Sequence, residues 1–120
     1  MDRIKQLVLP EGVDGALITS DINRRYFTGM KSAAGVLLIF KECAYLIIDF
    51  RYIEKARNTV KNCTVMEQEN LTEQINSLMK KHNAKSLAVE SMDMTLSRMS
   101  FLEKKFPDIE FIKSDELSNN

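Results

Sequence analysis

Apolar residues recur along this chain in two rhythms, a helical spacing and short unbroken runs, and their alternation predicts an α/β protein. Ile4, Leu7 and Val8 fall at helical spacing and predict a short amphipathic helix stopped by Pro10 and Gly12. GALIT (Gly15 to Thr19) reads as a buried strand. Ser20 and Asp21 then cap a helix with Ile22 and Tyr26 on one face, closed at Gly29. GVLLIF (Gly35 to Phe40) and AYLIID (Ala44 to Asp49), separated by Lys41, Glu42 and Cys43, predict a hairpin. Their near-continuous hydrophobicity predicts strands covered on both faces.

Ile53, Ala56 and Val60 mark the next helix, and CTVME (Cys63 to Glu67) the next strand. LTEQINSLMKKH carries a stripe of Leu71, Ile75, Leu78 and Met79, with Asn70 as its cap and Glu73 at capping-box spacing. LAVE (Leu87 to Glu90) reads as a strand. Leu96, Met99, Leu102 and Phe106 predict one face of a helix ended by Pro107, and IEFI (Ile109 to Ile112) the last strand. The fold class expected is a mixed β-sheet flanked by helices, with functional loops at the strand ends.

Length fits one domain with one hydrophobic core: 120 residues, 44% of them apolar. Formal net charge is zero and the charge is evenly spread, with nine basic and seven acidic groups in residues 1–60. This excludes the basic footprint of a nucleic-acid or anionic-membrane binder, so neither partner is expected. Cys43 and Cys63 make no CxxC or zinc spacing and read as reduced thiols of a cytoplasmic protein. The N-terminal apolar run is too short for a signal peptide, and no stretch reaches membrane-spanning length.

Candidate chemistry is sparse. The single histidine, His82, follows Lys80 and Lys81 at a helix end, where all three suit the negative end of the dipole. Glu90 and Asp93 can serve as metal ligands or an acid/base pair, or cap the helix that follows. No Ser/His/Asp set, no Cys/His pair and no phosphate loop is visible in the sequence, so none is expected. The stretch NRRYFTGMKSAAG stands apart. Arg24 and Arg25 point about 100° apart on a helix, so both cannot face the core and one is left for an anionic partner. The loop from Met30 to Ala34 is built of small residues plus Lys31, so its backbone can approach another molecule; the alternative is a solvated turn.

DGALITSDINRRYFTGMKSAAGVLLIF followed by AYLIIDFRYIEKAR resembles the N-terminal domain of the creatinase, prolidase and aminopeptidase P family. The family signature joins N-x-R-Y-[LF]-[TS]-G to a small-residue loop, a hairpin and D-x-R-Y opening a helix. Here it is carried by Asn23, Arg25, Tyr26, Phe27, Thr28 and Gly29, then Ala33, Ala34 and Gly35, then Asp49, Arg51 and Tyr52. The likeness extends over residues 1–120 through LAVES and IEFI.

The resemblance implies a creatinase N-terminal, ribonuclease H-like domain that is itself non-catalytic and holds no cofactor. It further implies a larger C-terminal pita-bread metallopeptidase domain, where two Asp, one His and two Glu bind two divalent metal ions such as Mn or Co. The substrate implied is a peptide with proline at its second position. A homodimer is also implied, with Asn23, Arg25, Tyr26, Lys31 and Ser32 on the rim of the substrate site. Gly29, Gly35, Asp49, Arg51 and Tyr52 would be the structural part of the motif, with Tyr26 alternatively a core anchor and Arg51 paired with Asp49 or a loop carbonyl. A non-enzymatic module of the same fold, binding a protein or peptide, is the alternative.

Overall fold

Alternate residues of the central strands face two hydrophobic clusters, one on each side of the sheet, where one core was expected, and this is why their sequences read as unbroken apolar runs. The computed structural model describes residues 7, 9, 11–30, 35–90 and 95–114. In chain order the elements are β1 (Gly15–Ile18), α1 (Asp21–Thr28), β2 (Val36–Phe40) and β3 (Ala44–Ile48). A 3-10 turn (Phe50–Tyr52) leads into α2 (Ile53–Thr59), β4 (Thr64–Glu67), α3 (Leu71–Lys81), β5 (Ser86–Glu90), α4 (Leu96–Lys105) and β6 (Glu110–Ser114).

The six strands form one mixed sheet in the order β4-β3-β2-β1-β5-β6. β2 is antiparallel to both β1 and β3, while the β1–β5, β3–β4 and β5–β6 pairs are parallel. Five strands therefore run one way and β2 alone runs against them. Ala16, Ile18, Leu37, Ile39, Leu46, Ile48 and Ala88 turn to one face, where Phe27 of α1 and Ala56 of α2 cover them. Leu17, Leu38, Tyr45, Ile47, Leu87 and Val89 turn to the other, under Ile75, Leu78 and Met79 of α3 and Phe106 at the end of α4. Burying alternate side chains in two layers makes every residue of β1, β2, β3 and β5 apolar or fully partnered.

The caps read from sequence are in place. Ser20 accepts a hydrogen bond from the Asn23 amide and Asn70 from the Glu73 amide, while the last helix is capped by Thr95, accepting from the Arg98 amide, in place of the Glu90 or Asp93 expected. Gly29 ends α1 in the left-handed region at φ 78°, its amide donating to the Arg25 carbonyl. His82 is the C-cap of α3, after Lys80 and Lys81.

Two predicted helix faces differ from those observed. Ile22 is 77% exposed, and the buried face of α1 is Asn23, Arg24, Phe27 and Thr28, one residue out of phase with the predicted Ile22–Tyr26 face. The cause is the cap: Ser20 and Glu90 hold the first turn so that Asn23 faces inward. Leu96, at 82% exposed, likewise points away from the core, because α4 docks through its C-terminal half, ending at the buried Phe106. The predicted N-terminal helix at Ile4 and Val8 lies outside the described residues; Leu7 is half-buried against the first core.

At the amino end of the parallel strands Asp14 ties β1 to β5. Its carboxylate accepts hydrogen bonds from the Lys85 amide (2.8 Å) and the Ser86 amide (3.3 Å), and its own amide donates to Ser86 Oγ (3.0 Å). The Lys85 hydrogen bond, aided by those from Ser86, holds the Asp14 carboxyl below its ordinary value of 3.8.

Candidate functional site

Strand directions bring the carboxyl ends of β1, β3 and β5 and the amino end of β2 to one end of the sheet. Segments far apart in sequence meet there: α1, Gly35, Asp49–Tyr52 and Glu90. This is the end where open α/β sheets carry their ligands.

Glu90 closes β5 with a carboxylate only 1% exposed. Its Oε1 accepts hydrogen bonds from the amides of Thr19 (2.7 Å) and Ser20 (3.0 Å), and its Oε2 from the Ser20 hydroxyl and Asn23 Nδ2 (2.6 Å). Four donors saturate a buried carboxylate and place its negative charge at the positive end of the α1 dipole. Glu90 thus anchors α1 across the sheet. It does not cap α4, which Thr95 caps, and its lone pairs are already used, against the metal-ligand and acid/base alternatives. Asp93 lies outside the described residues.

The two adjacent arginines part company. Arg24 is 1% exposed, donates to the Thr19 carbonyl (3.1 Å) and pairs with Asp21 one turn earlier. Arg25, one position and about 100° further round the helix, is exposed and forms no ion pair among the described residues. Asn23 is buried against Glu90. Tyr26 is half-buried, with its ring edge-to-face on Phe27 at 5.1 Å, as the core-anchor alternative requires. Lys31 and Ser32 lie outside the described residues.

The structural half of the motif has clear local causes. Thr28 Oγ1 donates to the Arg24 carbonyl (2.7 Å) and accepts from the Met30 amide (3.2 Å), turning the chain out of α1. Gly35 enters β2 at φ 117°, where a Cβ would stand 2.8 Å from the Ile47 carbonyl oxygen. Asp49 accepts from the Arg51 amide (2.9 Å) and from Arg51 Nε (3.1 Å), so Arg51 has the expected carboxylate partner. The Arg51 amide, and then its guanidinium, hold the Asp49 carboxyl below its ordinary value; the same bond raises Arg51. The Arg51 guanidinium also stands 5.7 Å from the centre of the Tyr52 ring.

Chemically, the segments at this end of the sheet carry an exposed cation, Arg25, and three exposed apolar side chains, Ile22, Phe50 (69% exposed) and Leu96. Among the described residues no group of three or more His, Cys, Asp or Glu is placed to hold a metal ion, so these residues do not fit a two-metal hydrolytic centre. Among them, too, no helix is long and apolar enough to cross a membrane. Sequence reasoning missed the role of Glu90, because its three partner residues, Thr19, Ser20 and Asn23, lie about seventy residues away. The hint was the buried strand ending in a carboxylate.

Residues 1–120 match the family model described as the creatinase/prolidase N-terminal domain. An uncharacterized peptidase of Bacillus subtilis, YqhT, is 31% identical over 93% of this chain and 32% of its own length. The Xaa-Pro dipeptidase from Bacillus anthracis superposes with a TM-score of 0.83 at 29% identity, over 97% of this chain and 33% of that one. The prolidase from Pyrococcus horikoshii does so with a TM-score of 0.74 at 28% identity, over 96% of this chain and 32% of that one. The chain spans about one third of the length of these relatives.

Proposed function

The chain belongs to the creatinase/prolidase N-terminal domain family, and from that premise we propose that it is the non-catalytic N-terminal part of an Xaa-Pro dipeptidase or aminopeptidase. One observation carries the reading: the family match covers the whole chain, yet only a third of the peptidases it resembles. The remaining length of those relatives leaves room for a separate catalytic domain. In this proposal that domain supplies two divalent metal ions and the hydrolytic chemistry, and the present chain contributes to dimerisation and to the rim of the substrate site.

The surface at the carboxyl end of the sheet supports the division of labour. Glu90 is consumed in holding α1, which leaves Arg25 as a rigidly mounted, exposed cation. A peptide with proline at its second position carries a C-terminal carboxylate when it is a dipeptide, and a partly desolvated guanidinium meets such a group well. Ile22, Phe50 and Leu96 supply the apolar area that docking to a catalytic domain or a second subunit requires. The same exposed apolar residues favour the second reading, a stand-alone module that binds a protein or peptide.

Metal-loaded assays on Xaa-Pro dipeptides test the proposal. The isolated chain is expected to release no amino acid, and the parent polypeptide carrying the catalytic domain to release it. Hydrolysis by the isolated chain would overturn the division; a parent without activity would favour the binding module.

A further inference from the structure

A second cluster of reactive side chains lies at the opposite end of the sheet from Arg25 and Glu90. Cys43 sits in the β2–β3 turn, closed by the Phe40 amide donating to the Cys43 carbonyl (2.8 Å). Tyr45 follows on β3, and His82 arrives from the C-cap of α3. The thiol of Cys43 donates to Tyr45 Oη (3.6 Å), Tyr45 Oη lies 2.8 Å from His82 Nε2, and Cys43 Sγ lies 3.5 Å from the same nitrogen.

The histidine is held for this role. Its ring stacks on Phe40, centroids 4.2 Å apart and planes within 18°, and meets Tyr45 edge-on at 5.5 Å. Burial, and secondarily the neighbouring thiol, push the Tyr45 phenol up to about 12, so it remains a hydroxyl, within hydrogen-bond distance of Nε2. Nearby charges are Lys81, its Nζ 5.9 Å from the centre of the Tyr45 ring, and the exposed turn residues Lys41 and Glu42. Cys43 itself is half-buried, within reach of a small reagent.

We propose that Cys43 is a thiol–disulfide exchange site that takes low-molecular-weight disulfides, its proton passing through the Tyr45 hydroxyl to His82. The thiolate sulfur attacks one sulfur of the disulfide, forming a Cys43–sulfur bond as the old sulfur–sulfur bond breaks. The departing thiolate takes up the proton held on His82. Cys43 is oxidised to a mixed disulfide, and one half of the reagent is reduced to its thiol.

Cys63 provides a control within the same molecule. It is also half-buried and in no disulfide, but it packs against the other core and donates to Asn62 Oδ1 (3.3 Å), while the chain's single imidazole lies across the sheet. The test is incubation with oxidised glutathione near neutral pH, with peptide mapping by mass spectrometry to time each adduct. Cys43 should react about tenfold faster than Cys63. Tyr45→Phe and His82→Gln should each slow Cys43 severalfold without changing Cys63, whose rate also reports whether the variant keeps its fold. Equal rates for the two cysteines in the unaltered protein would overturn the proposal, as would a Cys43 rate that neither variant changes.

Discussion

The side-chain amide of Asn23 on α1 donates a 2.6 Å hydrogen bond to the buried carboxylate of Glu90, sixty-seven residues later at the end of β5. This contact fixes the phase of α1, and with it which of two neighbouring arginines faces the solvent. Glu90→Gln places an amide group among four donors that all need an acceptor. It should cost about 2–4 kcal/mol, read as a lowered urea midpoint with an unchanged slope.

Asn23→Ala should cost less, about 1–2 kcal/mol, since three donors to Glu90 remain. Because both side chains belong to one network, the double variant should lose less than the sum of the two singles. Additive losses would show that the contact does not couple α1 to β5.

Much of this architecture was legible in the sequence, for definite reasons. The strands announced themselves because both faces of β1, β2, β3 and β5 are covered, and the caps Ser20 and Asn70 are local signals that need no tertiary knowledge. The phase of α1 was not legible: a face of Asn23, Arg24 and Thr28 around Phe27 looks polar until the parallel pairing of β1 and β5 brings Glu90 to Asn23 and the chain entering α1 turns the Thr19 carbonyl to Arg24. The meeting of Cys43, Tyr45 and His82 was hidden for the same reason. His82 read correctly as a helix cap, but only the sheet brings the hairpin turn beneath the end of α3.

The two glycines of the motif loop should differ in what they tolerate. Gly29 has a positive φ of 78° but open space around a would-be Cβ, so Gly29→Ala should cost about 1 kcal/mol. Gly35 combines φ 117° with a backbone oxygen 2.8 Å from that Cβ, and Gly35→Ala should cost about 3 kcal/mol or more. Thermal denaturation of the two variants side by side checks the order.

Asp14 predicts a specific piece of the acid limb. Its folded-state value lies below 3.8, so the stability it contributes is complete above that value and is lost as pH falls through the lower, folded one. Asp14→Asn should lower stability near neutral pH and flatten the decline below about pH 4. An acid limb unchanged by the substitution would show that other carboxylates account for it.

Arg24 and Arg25 should separate stability from function. Arg24→Ala removes a buried guanidinium bound to the Thr19 carbonyl and Asp21, and should destabilise the protein by about 2–4 kcal/mol. Arg25→Ala should leave stability within about 0.5 kcal/mol.

The most direct test of the account is the kcat/KM of the parent peptidase on an Xaa-Pro dipeptide, measured for Arg25→Ala against the unaltered enzyme. If this chain forms the rim of the substrate site, kcat/KM should fall about tenfold, chiefly through KM, with the melting temperature unchanged. Equal kcat/KM values in an equally stable variant would contradict it and remove Arg25 from the substrate's path.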